Sequence, residues 1–498
     1  MPKPLTENTA VHKSTLPEPL AYIDDRASRP AQVRKQTLRN PNTLEPLQPL
    51  HACDDAQAES ALAAAARAHE TAVWENTPTS ERAALLEAVA DALDAPEVQE
   101  TIAEVDALTT GAVISLTRNM ARLAPLSFRA AAQYLREGNL EQRLPGRHGE
   151  VEYFRRPWGP AMLISPWNGP TAIGCHKIAS ALAAGAPCIA KPSEWTPHSS
   201  VVVAEAIARA GLPPGTFQLL LGNRETAGKL LGDPRIKAIS FTGGTEGGRA
   251  VSAASVNSFR PLQLELGGNN PLVVFADADL DQAAAGIAFG LSNLNAQWCR
   301  ALGRVIVHRE VKQALLEKVQ HALAGIRMGH SLDPDAEMGP QIHRQQFDSV
   351  QRHIQRLRAA GGELLQSTTL PDLPGYFIPP TLVDGCDPGQ TRVEMFGPVA
   401  AVHSFDTSAE ALALANGTDY GLAAYVYSGD EQAAFDFSRK LRTGGVKING
   451  YDLLSLSPTA PRAAWGMSGL GEEGTGHSIE FFTGARVVGL VARGPAQN

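Results

Sequence analysis

Residues 265–304 read ELGGNNPLVVFADADLDQAAAGIAFGLSNLNAQWCRALGR. The middle of this stretch decides the fold class. LVVFAD is a short apolar strand, the Ala-rich run to about Ser292 is a helix, and GRVIVH is a second strand, which together make one strand–helix–strand unit of an α/β protein. The two ends carry chemistry. Glu265 stands in a Gly-flanked turn, Leu264-Glu265-Leu266-Gly267-Gly268, and Cys299 follows Asn295-Ala296-Gln297-Trp298. A thiol near its unperturbed pKa of about 8.5 is mostly protonated at neutral pH, so a cysteine nucleophile needs a nearby dipole, cation or base. Glu265 can act on it directly or through water. Taken singly, each residue has a plainer reading, a buried structural thiol and an exposed turn glutamate; it is the pair that points to catalysis.

Working outward, the same alternation runs upstream. Strands are predicted near 161–165, 188–191, 217–221 and 238–242, with helices near 171–184, 199–210 and 225–231 between them. Short apolar runs joined by amphipathic helices imply a parallel sheet with right-handed crossovers and a ligand at the carboxyl ends of the strands. Downstream, a further helix is expected from about Glu310 to Ile326. Residues 54–73 and 79–93 read as amphipathic helices; Leu85, Leu86, Val89 and Leu93 share one face of the second, and Thr79 or Ser80 can cap it. Residues 1 to about 45 lack sustained periodicity and read as an arm over the surface or a partly disordered segment.

The chain has 498 residues, enough for two or three cored domains, and a formal charge of −8 without any Lys/Arg run, which argues against a nucleic-acid partner. Five scattered cysteines form no CxxC or Cys/His cluster, so neither a metal site nor a disulfide framework is expected. No run of about 18 apolar residues and no apolar N-terminal region occurs, so neither a membrane partner nor export is expected, and the expected location is cytoplasmic. Two glycine patterns carry no weight: no apolar strand precedes the GxGxxG at 469–474, and GNRETAGK at 222–229 has the wrong spacing for a P-loop.

The ELGG turn with its glutamate, followed by NAQWC, resembles the aldehyde dehydrogenase superfamily, whose nucleophile segment is N-x-G-Q-x-C; here Ala296 takes the usual glycine's place. Further motifs in family order extend the resemblance from about Arg156 to Gly471. It implies two Rossmann-like parallel-sheet domains, cofactor-binding and catalytic, plus a small β oligomerisation ribbon. The expected boundaries are 1–135 and 158–264 for cofactor binding, 265–477 for catalysis, and 136–157 with 478–498 for oligomerisation into a homodimer or homotetramer.

By the same resemblance, Cys299 is the nucleophile, Glu265 the general base and Asn168 an oxyanion donor. The cofactor, NAD with NADP possible, is expected on Ser165, Pro166 and Trp167, on Lys191, Ser193 and Glu194, and on Gly222 and Gly228. Phe241, Thr242, Gly243, Gly244, Leu266, Glu394 and Phe396 complete the set. Glu194 accepts from a ribose 2′-hydroxyl and repels a 2′-phosphate, which favours NAD. Gly244 replaces a serine that usually meets the pyrophosphate.

The substrate mouth is expected at Gly169, Ala172, His176, Trp298, Arg300, Leu454 and Arg462. Gly169 and His176 stand where aromatic side chains often narrow the family's tunnel, which implies a wider pocket. Arg300 and Arg462 are candidates for pairing with a carboxylate, against the plainer reading that each bonds backbone or a neighbouring acid. Arg462-Ala463-Ala464 replaces Phe-Gly-Gly, and Gly466 a lysine. Lys177 is open between a surface lysine and a proton relay. The implied reaction is oxidation of an aldehyde to an acid; transfer of the acyl group to coenzyme A and a non-catalytic relative are the alternatives.

Overall fold

The computed structural model describes residues 16–453, 456–457 and 459–491. Two mainly parallel sheets and a small antiparallel one organise these residues. The first sheet runs Arg26–Ser28, Ala21–Ile23, Phe217–Leu219, Cys188–Lys191, Ala161–Ile164, Ala238–Thr242, Leu262–Glu265, Gly469–Leu470. Its five central strands are parallel, and both edges are antiparallel. The second runs Glu363–Leu365, Thr381–Asp384, Val399–Phe405, Leu302–His308, Asn270–Val274, Ala424–Tyr427, Val446–Ile448, parallel except at its first edge.

The central strands are mainly apolar because helices cover both faces, while the edge strands Arg26–Ser28 and Glu363–Leu365 are more exposed. Side chains alternate between the faces with the period of two that a strand imposes. Ala161 and Leu163 pack with Leu86, Phe128 and Leu182 on one side, while Met162 and Ile164 pack with Leu62, Leu230 and Leu264 on the other. In the second sheet Leu272, Val274, Val305 and Val307 face one core, and Val273 and Ile306 the other.

Chain order sets the position of the ligand crevice. From Ala161–Ile164 the next two strands are laid down on one side, and then Ala238–Thr242 returns to the other. Successive loops diverge at this point, leaving a crevice beyond the carboxyl ends of those two strands.

Three findings depart from the sequence reading. The segment expected to be an arm forms strands: Ala21–Ile23 and Arg26–Ser28 extend the first sheet, and Gln32–Arg39 pairs with Pro46–Ala52. Three helices went unrecognised, Pro96–Thr110, Ile114–Ala121 and Leu123–Arg136. The first of them begins with proline at its N-terminus and stops at left-handed Gly111. Helix Thr79–Asp94 buries Leu86, Val89 and Leu93 as expected, but its N-cap is Pro78 and neither Thr79 nor Ser80 caps it. Glu141–Gly146, Gly149–Pro157 and Thr483–Val488 form the small antiparallel sheet where a ribbon was expected.

Candidate active site

The two sheets present opposite ends to one cleft of about 260 Å³. From the first come loops at carboxyl ends: Pro166, Trp167 and Asn168 after Ala161–Ile164, and Thr242, Gly243 and Gly244 at the end of Ala238–Thr242. Glu265 closes Leu262–Glu265. From the second come loops at amino ends: Gly267 before Asn270–Val274, Cys299 before Leu302–His308, and Glu394 and Phe396 before Val399–Phe405.

Two glycines let these loops close on one another. A Cβ on Gly268 would lie 2.5 Å from the Cys299 carbonyl oxygen, and one on Gly267 would lie 1.9 Å from a Glu394 carboxylate oxygen. Asn270 ties the two sides together, its Nδ2 donating to the carbonyls of Cys299 at 2.9 Å and Ala301 at 2.7 Å.

Cys299 is the one partly accessible cysteine among the described residues; the other four are buried. Its thiol lies within interaction reach of the Glu265 carboxyl. Burial, and then the charge of Glu265, push the thiol well above its ordinary range, while Arg300 pulls it down. Burial likewise raises Glu265, helped by the charge of Glu473. A base raised in this way is protonated more readily near neutrality than an exposed glutamate and suits proton abstraction from water. The Asn168 amide reaches the same loop, donating to the Gln297 carbonyl at 2.8 Å. Its second N–H remains for an oxyanion.

The nucleophile loop is held in an unusual backbone shape. Leu294, Asn295 and Ala296 have φ of 49°, 55° and 54°, three consecutive left-handed residues without a glycine. Side chains hold it there. Asn295 Nδ2 donates to the Gly111 and Pro340 carbonyls, its Oδ1 accepts from Gly339 N–H, and Gln297 Oε1 accepts from Ile342 N–H.

The other half of the cleft suits a dinucleotide. Thr242 Oγ1 is buried without a partner, and a Cβ on Gly244 would meet nothing within 4 Å. Gly244 caps helix Thr245–Ser255 without a side-chain acceptor, leaving first-turn N–H groups for a phosphate. Lys191 Nζ is buried and donates to the Pro192 and Gly222 carbonyls. Phe396, in a left-handed backbone at φ 47°, meets Trp167 edge-on with ring centroids 5.4 Å apart. Glu394 accepts from Gly268 N–H at 2.8 Å.

The aldehyde dehydrogenase family model matches residues 28–488. The chain belongs to that family. Its members are NAD(P)-dependent oxidoreductases. Betaine aldehyde dehydrogenase of Cereibacter sphaeroides is 36% identical over 460 residues, 91% of this chain and 93% of the relative. The non-phosphorylating aspartate-semialdehyde dehydrogenase of Halomonas elongata is 32% identical over 484 residues, 95% of this chain and 96% of the relative. Betaine aldehyde dehydrogenase from Staphylococcus aureus, solved in complex with NAD+, is similar with a TM-score of 0.89 at 29% identity, covering 95% of this chain and 94% of that one.

In this aldehyde dehydrogenase several residues expected at the substrate mouth have other engagements. His176 is hydrogen-bonded to Ser478 Oγ at 2.9 Å, and burial keeps it neutral by lowering it to about 4. Arg462 pairs with partly buried Glu473 at 3.5 Å, so of its two readings the neighbouring acid holds. The space opened by Gly169 is partly filled, since a Cβ there would lie 3.2 Å from Ile173 Cδ1 and 3.4 Å from Met120 Cε. Trp298 is buried in an apolar cluster with Leu294, Ala296 and Ala301. Ala172 is partly exposed on helix Pro170–Ala183. Leu454 lies outside the described residues.

On the cofactor side, Ser165 lies beside Lys191, its N–H donating to the Lys191 carbonyl at 3.3 Å. Ser193 Oγ accepts from Trp195 N–H, and Glu194 is partly exposed next to it. Gly222 packs against Thr226, Gly228 opens to free space, and Leu266 covers Gly248. Lys177 is no surface lysine: it is buried, donating to Ser240 Oγ at 2.7 Å and to Glu473 at 3.3 Å. Ile173 and Gln346 line the cleft without having been foreseen. Gln346 Nε2 donates to the Phe396 carbonyl at 2.6 Å, and no local motif marks it.

Proposed function

We propose that the protein oxidises an aldehyde to the free carboxylic acid with NAD+, using Cys299 as nucleophile and Glu265 as general base. The observation that carries this reading is the meeting of the Cys299 thiol and the Glu265 carboxyl in the cleft between the two sheets, beside the Asn168 amide. The thiol passes its proton to Glu265 and the sulfur adds to the aldehyde carbon. Asn168 Nδ2 and the Cys299 backbone N–H receive the developing oxyanion, a type of contact worth about 3 kcal/mol.

Bound NAD+ would supply the hydride acceptor. Thr242, Gly244 and the helix behind them would hold its pyrophosphate, Lys191 and Glu194 the adenosine ribose, and Glu394 the nicotinamide ribose, with Trp167 and Phe396 flanking. Glu265 gives up the proton taken from the thiol to solvent before hydrolysis; it then accepts a proton from the water that cleaves the thioester and passes it to the departing sulfur, which restores the thiol and releases the acid. Retention of this base supports hydrolysis over transfer to coenzyme A, and Glu194 supports NAD over NADP.

The test is a pre-steady-state record of NADH with an aldehyde panel. Cys299→Ala should lose turnover while still binding NAD+. Glu265→Gln should slow the NADH burst, because the thiol loses its proton acceptor, and slow the steady state further, because hydrolysis loses its base as well. Equal loss of burst and steady state would place Glu265 only in thiol activation, and an acyl-coenzyme A product would overturn the hydrolytic reading.

A further inference from the structure

We propose that Arg300 recognises a carboxylate at the far end of the substrate, so that the site takes aldehydes bearing a terminal carboxylate in preference to neutral or cationic ones. This rests on the reading of the cleft as an aldehyde-oxidising site and names its substrate class.

Arg300 follows the nucleophile directly and is partly buried. Its guanidinium makes a single hydrogen bond, Nη1 to the Leu422 carbonyl at 3.3 Å, and no ion pair joins it to an acid among the described residues. A guanidinium carries five donors, so most of its hydrogen-bonding capacity faces no protein acceptor. Partly buried Arg462 and Arg155, by contrast, are paired with Glu473 and Glu480, and Arg304 is satisfied by several backbone carbonyls. An unpaired, half-shielded cation beside a reacting thiol is held at a cost that a ligand carboxylate would relieve.

The mount of this cation is rigid. The Arg300 carbonyl accepts from the hydroxyls of Tyr425 at 2.9 Å and Tyr451 at 2.8 Å, and the two rings stack with centroids 3.6 Å apart. Lys447 on the neighbouring strand lies within electrostatic reach of Arg300, and the opposing acids are Asp452, whose carbonyl accepts from Lys447 Nζ, and the catalytic Glu265. A planar carboxylate satisfies the Arg300 guanidinium, and a trimethylammonium group would be repelled by it.

The experiment compares kcat/KM, with NAD+ saturating, for 4-oxobutanoate and 5-oxopentanoate against butanal, pentanal and betaine aldehyde. The better oxo acid should exceed its neutral counterpart by about ten- to a hundred-fold, as a charge-assisted pair supplies, and chiefly through KM. Arg300→Gln, which can still reach the Leu422 carbonyl, should bring that ratio close to one, and Arg300→Lys should restore part of it. Equal use of acid and neutral aldehydes, preference for betaine aldehyde, or an unchanged ratio in Arg300→Gln would overturn the assignment. If no aldehyde yields NADH, the oxidative reading itself fails, and the carboxylate site is read separately. Succinate should then slow alkylation of Cys299 by iodoacetamide in the wild type and not in Arg300→Gln; absence of protection overturns the site as well.

Discussion

Burial lifts the Glu394 carboxyl to about 8, against the pull of the Gly268 N–H, and the charge of Glu265 adds to the rise. Between the ordinary carboxylate value and about 8, the folded protein therefore holds a proton that the unfolded chain has released. Stability must fall as pH rises through that window, because the unfolded state binds fewer protons. Glu394→Gln removes the titration while its oxygen can still accept from Gly268. In cofactor-free protein the variant should be more stable than wild type by about 2 kcal/mol at pH 8, after allowing for a buried amide with an unpaired N–H, and the gap should close near pH 4.5. Urea unfolding at the two pH values checks this; a gap independent of pH would mean that Glu394 is ionised in the folded state. At this scale the sequence was most informative where one short motif carried the role, as for Cys299, Glu265 and Asn168. It said nothing of Gln346 or Ile173, which reach the cleft by tertiary folding alone, and it could not choose between the two readings of Arg462, because Glu473 becomes its neighbour only in three dimensions.

The turn Asn293–Ala296 does at the level of an element what a glycine would do at a single residue. Three left-handed residues in a row cost roughly 1–2 kcal/mol each relative to ordinary backbone, and the Asn295 side chain offsets that cost with three buried hydrogen bonds to Gly111, Pro340 and Gly339. Asn295→Ala leaves those three backbone groups unpaired. It should destabilise the protein by about 3 kcal/mol and depress kcat more than cofactor affinity, since the turn delivers Cys299 and not the dinucleotide loops. Thermal melting with NAD+ titration checks both; unchanged kcat would show that the loop keeps its shape without Asn295. Ala296 in the usual glycine's place was visible in the sequence, but the left-handed run was not, since neither Leu294 nor Asn295 announces positive φ in the way glycine does. The apolar strands were legible for the opposite reason: buried on both faces, each had to be a short continuous apolar run. The Ala21–Ile23 strand was missed because three residues are too few to show a period.

At the scale of the whole molecule, the small sheet of Glu141–Gly146, Gly149–Pro157 and Thr483–Val488 stands apart from the two large cores and leaves apolar side chains in the open. Val487, Val488 and Leu490 are 65%, 53% and 65% exposed, more than a solvated strand end requires. Both outer strands of this sheet also present unpaired backbone edges, which in a lone chain invite association. The expected occupant is a second copy of the chain, with Thr483–Val488 placed against it and the strand Gly149–Pro157 tying the contact to the loop that leads into Ala161–Ile164 and so to the cleft. Replacing Val487 and Val488 together by Asp puts two charges on that face without touching any core cluster. The double variant should elute at the 52.9 kDa of one chain, while the wild type should show a multiple of it. Size-exclusion chromatography with light scattering reads this directly. A wild-type monomer would remove the interface, and a variant that keeps the larger mass would move it to another face. If the variant is monomeric, its NADH burst should persist, because every group that touches the aldehyde or the nicotinamide ribose in the proposed mechanism comes from one chain; loss of the burst on dissociation would mean that the neighbouring copy holds the cleft in its working shape.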